Sequence, residues 1–350
     1  MKMTVAILYG GKSSEHLISC ISACSLYNHI DREKYEPILI GITKENRWFY
    51  QPHPTIKDNA LCINDDKENR LFISAGEGIF LSNKKLKIDF LFPVLHGSYG
   101  EDGAIQGLFE LLAIPYAGSG VIGSAIGMDK IIAKKLWQTA GIPVVDFYEL
   151  SIDSINDTEL HKAIISKLGL PLFVKPVNAG SSVGCSKVNN TNEFNVAINS
   201  AFQFDSRIII EKYINAREIE CAVIGNNKTT VFTPGEIKAL HEFYDYDAKY
   251  NDPSGALLEI NATLPQKQSD LIKEYAIKAY KAILAKGFSR VDFFIDKESQ
   301  EIFINEINTL PGFTSISMFP KMCESGGISY KKLISQIIEY GIESHANKIG

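Results

Sequence analysis

The order of apolar and polar positions predicts strands that alternate with helices in the first third of the chain. Three apolar runs have the length of buried strands: 4–9, 35–43 and 88–97. Two stretches show apolar residues at helical spacing: about 16–30 and 103–114. Such alternation favours a parallel sheet covered by helices on both faces. The polar stretch 50–87 has no secure assignment.

The pattern changes after residue 115. A stretch dense in glycine, 116–130, predicts a domain boundary, and an amphipathic helix follows at 130–141. Short apolar runs then predict a mostly antiparallel region with strands at 172–175, 185–188, 207–214, 218–225 and 229–237. The remaining elements are a helix at 268–286, a hairpin at 289–308 and a last helix at about 330–340.

Composition narrows the class of protein. A chain of 350 residues is expected to form two or three domains, and 45% hydrophobic with 22% charged residues is typical of globular proteins. The net charge of −5 and the absence of a long basic tract argue against nucleic acid or an anionic membrane as main partner. No apolar run approaches about 18 residues, so we expect no membrane span. The N-terminal apolar segment is expected to be a strand and not a signal peptide. Six cysteines without zinc-like spacing predict a cytoplasmic protein with reduced thiols.

The turn Gly10-Gly11-Lys12-Ser13 ends like a nucleotide-binding P-loop, but position 6 is Ala where that motif needs its first glycine. Two interpretations of the following Glu15 stay open. In one, Ser13 or Ser14 caps a helix and Glu15 favours its dipole. In the other, Glu15 lies at the carboxyl end of the first strand and holds a substrate ammonium group.

Two further glycine loops need separate interpretations. Gly118, Gly120 and Gly123 match G-x-G-x-x-G, which in a strand–helix setting binds a dinucleotide; a glycine-rich linker is the favoured alternative. In 172–188, a strand ending at Lys175 meets a Gly180-Ser181-Ser182 loop and a second strand. Backbone N–H groups and hydroxyls of such a loop can wrap phosphates, with Lys175 supplying charge. A flexible hairpin loop is the alternative.

The 289–308 hairpin predicts a metal site. Strict alternation in its second strand predicts one face with all of Ile302, Ile304, Glu306 and Asn308. A turn near 297–300 then brings Asp292 opposite Glu306. Facing carboxylates repel unless a cation lies between them, and oxygen donors without His or Cys favour Mg²⁺ over zinc. The alternatives are surface charges or pairing with Arg290.

Together these motifs resemble the ATP-grasp enzymes, and within them the D-alanine–D-alanine ligases. The resemblance covers nearly the whole chain through, in order, YGGKSSEH, FPVLHGSYGEDGAIQG, GMDK, FVKPVNAGSSVG, EKYINAREIE, FYDYDAKY, GFSRVDFF and NEINTLPGFTSISMFP. It implies an α/β and α+β fold with a three-domain ATP-grasp architecture, in which an N-terminal parallel-sheet domain precedes two domains that clasp ATP. The implied bounds are 1–127 for an N-terminal α/β domain, 128–215 for a central domain with the phosphate loop, and 216–350 for a C-terminal domain.

The resemblance also implies roles for individual residues. The catalytic set is Glu15, Ser181, Tyr250, Arg290 and Gly312, the first three closing the site over the first D-alanine. The substrate-binding set is His96, Ser317 and Met318. The ATP-binding set is Lys130, Lys175, Ser182, Glu211, Ile214, Glu218 and Lys249. The metal set is Asp292, Glu306 and Asn308, which would hold two Mg²⁺ or Mn²⁺ ions, and the loop 241–255 is the implied lid.

The implied reaction joins two D-alanines through an acyl phosphate, in a cytoplasmic homodimer that serves peptidoglycan synthesis. This chain has Val177-Asn178-Ala179 where several members of the family carry charged residues. It keeps the tyrosine-rich lid that D-alanyl-D-lactate relatives lack, and it has Met318 where D-alanyl-D-serine relatives tend to have arginine. The alternatives are a D-alanyl-D-serine-type ligase and, in another class, an NAD-dependent oxidoreductase built on Gly118, Gly120 and Gly123.

Overall fold

The structure, a computed structural model, describes residues 2–180, 183–239 and 256–349. Four predicted site residues, Ser181, Ser182, Lys249 and Tyr250, and the predicted lid 241–255 lie outside the described residues. In the described part the helices are α1 (His16–His29), α2 (Ala104–Leu112), α3 (Val121–Met128), α4 (Lys130–Thr139), α5 (Thr158–Leu168), α6 (Thr191–Ala201), α7 (Gln266–Ala282), α8 (Met318–Ser325) and α9 (Tyr330–Ile349), with short 3-10 helices at Lys67–Asn69 and Ile152–Ser154.

The strands belong to three main sheets and two small ones. They are β1 (Met3–Gly10), β2 (Tyr35–Ile42), β3 (Trp48–Tyr50), β4 (Ile56–Lys57), β5 (Ala60–Leu61), β6 (Leu71–Ser74), β7 (Gly78–Leu81), β8 (Lys84–Lys85), β9 (Phe90–Val94), β10 (Phe147–Ser151), β11 (Leu172–Pro176), β12 (Ser186–Val188), β13 (Arg207–Lys212), β14 (Ala216–Gly225), β15 (Thr229–Val231), β16 (Gly235–Ala239), β17 (Ala256–Glu259), β18 (Phe288–Asp296) and β19 (Ile302–Asn308).

The N-terminal sheet has the order β3-β2-β1-β9, in which β1 pairs in parallel with both β2 and β9. This confirms the predicted parallel sheet, and β3 adds an antiparallel edge. The third predicted strand ends at Val94 and not at 97, so His96 lies in the loop beyond the strand. The unassigned stretch 50–87 contains the β4–β5 and β6–β7–β8 sheets. Their period was hidden because strands of two to four residues are too short to show one.

The central sheet is antiparallel, as predicted, with the order β10-β13-β11-β12. The prediction of strands alone was wrong, because α5 and α6 supply apolar residues to this sheet's core. Both helices carry sequence signals that the strand interpretation passed over. Asp157 caps α5 by accepting from the N–H of Leu160, and Asn190 caps α6 by accepting from the N–H of Glu193, whose carboxylate accepts from the N–H of Asn189.

The C-terminal sheet has the order β17-β16-β14-β18-β19, and β15 also pairs with β14. The single strand predicted over 229–237 is two strands, because Pro234 lies between β15 and β16 and cannot donate to a strand ladder. The last helix extends beyond its predicted end, to Ile349. The predicted boundary 116–130 is only partly irregular, since it includes α3. None of the helices described is long and apolar enough to cross a membrane.

The second strand of the hairpin contains a bulge that the alternation pattern did not predict. The register shifts between Asp292 and Phe293, so that Asp292 faces Glu306 while Phe293 faces Ile304. The predicted pairing of Asp292 with Glu306 is confirmed. The single face predicted for 302, 304, 306 and 308 is wrong. Ile302, Ile304 and Ile307 enter the core, and Glu306 and Asn308 turn to the opposite side because a bulge re-aims the side chains that follow it.

Candidate active site

The glycine turn after β1 places Glu15 where three sheets meet. Gly10 has φ of +91°, and a β-carbon there would lie 2.3 Å from the carbonyl oxygen of Ile42, so only glycine fits. The turn leads to Glu15, which is itself the N-cap residue of α1. The prediction that Ser13 or Ser14 caps this helix is therefore wrong. The Ser13 hydroxyl instead accepts from the N–H of Glu15 at 3.2 Å.

The Glu15 side chain is buried and points toward two other loops. It is 8% exposed. A β-carbon built at Gly97 would lie 2.8 Å from Glu15 Oε2, and one at Gly180, in the predicted phosphate loop, would lie 3.5 Å from it. The carboxylate therefore lies between the end of the N-terminal sheet and the central domain's loop, at the carboxyl end of β1, where open sheets bind ligands.

His96 is held as a neutral ring beside this carboxylate. Its Nδ1 lies 3.0 Å from the carbonyl oxygen of Leu310, which can only accept, so we assign the ring proton to Nδ1. Nε2 then accepts from the Ser22 hydroxyl at 3.2 Å. Burial lowers the pKa of His96, and the charge of Glu15 opposes that shift only in part. His96 therefore connects the N-terminal sheet to the loop that follows the β18–β19 hairpin.

Glu101 makes a second link between the same two segments and was missed in the sequence. Its Oε2 accepts from the N–H of Gly97 at 2.9 Å, and its Oε1 accepts from the N–H of Leu310 at 3.1 Å. Burial, followed by the charge of Glu15, raises the pKa of Glu101 to about 8. Its place in the sequence could have indicated a role, because Glu101 lies five residues after His96 in the same FPVLHGSYGEDG motif.

The central sheet contributes a buried ion-pair triad. Glu211 Oε2 lies 2.6 Å from Lys175 Nζ, and Glu211 Oε1 lies 2.7 Å from Lys134 Nζ. Burial works to raise the pKa of Glu211, but the two ammonium groups outweigh it and hold the pKa at about 2. Burial and the neighbouring Lys175 lower the pKa of Lys134, which Glu211 opposes. In this structure the carboxylate of Glu211, predicted to contact adenosine, serves as counter-ion to two lysines.

Lys134 was also missed in the sequence. It follows Lys130 by four residues, so both lie on one face of α4. Lys130 donates to the carbonyl oxygen of Ala179 at 2.6 Å, next to the predicted phosphate loop. The sequence signal that could have identified Lys134 is a lysine among the buried positions of an amphipathic helix.

Three carboxylates cross the C-terminal sheet in a row. Glu220 on β14 faces Asp292 on β18, which faces Glu306 on β19. Arg290 donates to Asp292 through Nε at 2.8 Å and Nη2 at 2.6 Å. Asn308 Nδ2 donates to the same carboxylate at 3.0 Å. Burial opposes the charge of Arg290, but Asp292 and then Glu220 raise its pKa above the ordinary value.

Charges from the three sheets act on one another across a common cleft. The charge of Glu306 acts to raise the pKa of Lys134 and Lys175 on the central sheet and of Arg290 on its own sheet. In Lys134 the effect of burial is larger, so the pKa is lowered there all the same. The charge of Arg290 acts in turn on His96. The described members of the predicted phosphate, metal and first-substrate sets therefore converge.

The other predicted residues lie at the end of β13, on β14 and in the segment after β19. Ile214 follows β13, and Glu218 lies two residues before Glu220 on the same face of β14; both side chains are half-buried. A β-carbon at Gly312 would lie 3.3 Å from Ser317 Oγ, so these two are neighbours. Met318 begins α8 and is buried in the core that joins the N- and C-terminal sheets.

The glycine motif at 118–123 does not form a dinucleotide site. A β-carbon at Gly118 would lie 3.0 Å from Leu310 Cδ2, and one at Gly123 would lie 2.9 Å from the carbonyl oxygen of Leu284. The motif also lacks the strand that precedes it in a dinucleotide-binding unit, since Tyr116 makes only an isolated bridge with Leu91. The oxidoreductase alternative is therefore not supported, and these glycines allow close packing between domains.

The hairpin donors suit a hard divalent cation that shares its ligands with a nucleotide. In the described part of the chain, no three His, Cys, Asp or Glu side chains converge as a ready-made metal site. Two carboxylates and an amide oxygen would leave coordination positions for water and phosphate oxygens, which is how Mg²⁺ is usually bound. Asp292 and Glu306 face each other at the edge of the lysine-lined cleft, where phosphates would lie.

A parallel N-terminal sheet, two antiparallel sheets and a cleft between them lined by lysines and carboxylates define the class of the ATP-grasp enzymes. Models of the N-terminus and the C-terminus of D-Ala–D-Ala ligase match residues 4–119 and 136–339. The chain belongs to the D-alanine–D-alanine ligase family.

Individual relatives agree with this assignment. The chain is 45% identical to the D-alanine–D-alanine ligase of Treponema denticola over 97% of this chain and 96% of that one. The structure resembles the VanG D-Ala:D-Ser ligase of Enterococcus faecalis, with a TM-score of 0.85 and 35% identity over 97% and 100% of the two chains. It also resembles the Bacillus anthracis D-alanine–D-alanine ligase complexed with ATP, with a TM-score of 0.75 and 30% identity over 99% of each chain.

Proposed function

We propose that this chain joins two D-alanine molecules into D-alanyl-D-alanine, with ATP converted to ADP and phosphate, as a step of peptidoglycan precursor synthesis. Family membership supports the reaction class. The observation that carries the proposal is the convergence on Glu306, whose charge acts on Lys175 and Lys134 from one side and on Arg290 from the other. A cleft so built can hold a triphosphate and an acyl group together.

The first step places a carboxylate against the γ-phosphate of ATP. Two anions approach each other only with cationic screening. Lys175 and Lys130, next to the predicted phosphate loop, supply part of this screening. The metal set, Asp292, Glu306 and Asn308, would hold Mg²⁺. When bound, Mg²⁺ neutralises charge on the phosphate oxygens.

The first D-alanine would be held by its ammonium group. Glu15 offers a carboxylate in a buried position, and we assign to it the contact with that ammonium, together with Ser181 and Tyr250. The neutral ring of His96 adds no positive charge that would repel the ammonium. The outcome of this step is a D-alanyl phosphate, with its acyl carbon near the loop that begins at Leu310.

In the second step the amine of another D-alanine attacks the acyl carbon, and negative charge develops on the carbonyl oxygen. We assign the stabilisation of this oxyanion to Arg290 and the backbone N–H of Gly312. Loss of one such donor typically raises a barrier by about 3–4 kcal/mol. Acyl phosphates react with water, so the site must close. We assign that closure to the segment 241–255.

The second-site pocket favours D-alanine over D-serine. Met318 is 5% exposed and lies against Gly235, where a β-carbon would be 2.8 Å from the Met318 sulfur. An apolar thioether offers a poor partner for a hydroxyl group. Similarity to VanG, a D-Ala:D-Ser ligase, makes D-serine the second candidate. A methylene-scale pocket discriminates by about 1–3 kcal/mol, so competition between the two amino acids measures the preference.

The remaining parts of the proposal concern organisation. We propose domains at 1–127, 128–215 and 216–350, ATP contacts by Ile214, Glu218, Ser182 and Lys249, and a homodimer. We place the activity in the cytoplasm because the reaction consumes ATP and none of the six cysteines, all within the described residues, forms a disulfide.

The test is phosphate release from ATP that depends on D-alanine, with the dipeptide identified by mass spectrometry. We expect Glu306→Gln to abolish turnover while its circular dichroism and melting temperature match those of the wild type. ATP hydrolysis without dipeptide, consumption of NADH, or full activity of Glu306→Gln with normal magnesium dependence would contradict the proposal.

A further inference from the structure

Glu220 is a buried carboxylate that faces the candidate metal hairpin and has no role in the proposed chemistry. It is 4% exposed and lies on β14 directly opposite Asp292. Its Oε1 lies 3.1 Å from Nε of Arg290. An ionised side chain is costly to bury unless it is paired, so the contact with Arg290 is what makes this position tolerable.

Arg290 lies between two carboxylates, and one of them is a candidate metal ligand. Its Nε and Nη2 donate to the two oxygens of Asp292 at 2.8 and 2.6 Å. Asn308 donates to the second of these oxygens. At least three of the roughly four lone-pair positions of the Asp292 carboxylate are thus engaged. A divalent cation that binds Asp292 must compete with Arg290.

We propose that Glu220 is a positioning residue that holds Arg290 in place when a divalent cation draws on Asp292. The inference rests on the proposed function. The strand order β14-β18-β19 puts Glu220 and Glu306 on opposite sides of Asp292. A cation between Asp292 and Glu306 repels the guanidinium away from the hairpin, and Glu220 on the far side retains it next to the reacting centre.

The charges of this row agree with that role. Glu220, Asp292 and Glu306 carry three negative charges and Arg290 carries one positive charge, so the row is net negative. Without the charge of Glu220, Arg290 would lose one of its two carboxylate contacts and the row would carry one negative charge fewer. Both effects weaken cation binding and misplace Arg290.

Glu220→Gln tests the inference, because it keeps the shape of the side chain and removes its charge. We expect kcat for D-alanine-dependent phosphate release to fall about ten- to a hundred-fold, the scale of a lost charge-assisted hydrogen bond. The Mn²⁺ concentration that half-saturates the enzyme–ADP complex, measured by the electron paramagnetic resonance of free Mn²⁺, should rise about ten-fold, since a charge next to the ion is lost.

Glu236→Gln is the matched control. Glu236 is 5% exposed and pairs with Arg217 through contacts of 2.9 and 2.7 Å. It faces Ile219 across β16 and β14, hence the side of the sheet opposite to Glu220. This variant should lower the melting temperature and leave kcat and Mn²⁺ binding unchanged.

Two results would overturn the inference: wild-type kcat and Mn²⁺ binding in Glu220→Gln, or losses in both that Glu236→Gln reproduces. Failure of the proposed function would give a different result, because the wild-type protein itself would then release no phosphate in response to D-alanine. Mn²⁺ binding to the ADP complex reports on the row of carboxylates even in that case.

Discussion

Glu211→Gln is expected to destabilise the central domain by several kcal/mol. The carboxylate holds Lys175 at 2.6 Å and Lys134 at 2.7 Å, and Glu211 and Lys134 are almost completely buried. A glutamine has the same size but no charge. Two ammonium groups would then share a buried space without their counter-ion, and one of them would have to lose its proton or reach water.

Two independent routes give the same magnitude. A carboxyl group whose pKa is held at about 2 in place of 4.5 contributes about 3 kcal/mol at neutral pH. Removal of one partner from a buried ion pair costs about 3–5 kcal/mol in other proteins. Because the folded pKa is depressed, this stability is complete above pH 4.5 and is lost as the pH falls from 4.5 toward 2. The wild type should therefore lose its advantage over Glu211→Gln in acid.

Urea unfolding followed through Trp137 measures the effect locally. Trp137 is 1% exposed and lies on α4, three residues from Lys134. A Trp48→Phe background removes the other tryptophan. Lys134→Met is the control, because Glu211 keeps Lys175 and methionine fills the space, so we expect a loss below about 2 kcal/mol.

A free energy of unfolding for Glu211→Gln within about 1 kcal/mol of the wild type at pH 7 would refute the reasoning, since that is the range of solvent-exposed pairs. So would a larger loss for Lys134→Met than for Glu211→Gln. Either result would mean that the lysines, and not the carboxylate, determine the stability of the triad.

Three further predictions concern the N-terminal sheet and the second substrate. The raised pKa of Glu101, about 8, means that folding favours its protonated form, so the melting temperature should fall as the pH rises from 5 through 8. Glu101→Gln should flatten this dependence of the melting temperature on pH, and an unchanged slope would exclude Glu101 as its source. Gly10→Ala should destabilise by about 2 kcal/mol or more in chemical denaturation, because its β-carbon would meet the oxygen of Ile42 and φ is positive; a neutral result would show that the turn can relax. Met318→Arg should raise KM for the second D-alanine at least about ten-fold by removing an apolar contact, and an unchanged preference over D-serine in steady-state kinetics would disprove that assignment.

Much of the fold follows from local pattern. The apolar run 4–9 and its neighbours predict the parallel sheet, and the length of the turn between two strands brings Asp292 near Glu306, although only the bulge sets the two directly opposite. The errors have local causes as well. Helices α5 and α6 were missed although Asp157 and Asn190 cap them, because the apolar runs around them were given more weight than the caps. The bulge in β19 was missed because its sequence mark, the spacing of three between Ile304 and Ile307 in place of two, was given no weight.

The sequence by itself determined many of the elements, the order of the motifs and the family, because these depend on residue spacing along one chain. Only the tertiary structure decided which charges meet. Lys134 and Glu211 are 77 positions apart, and Glu101 reaches Leu310 across 209. Their partners are set by how sheets and helices pack, and burial then fixes the strength of each pairing, because removing water strengthens the interaction of a carboxylate with the groups packed against it. Spacing along the chain carries no record of that desolvation.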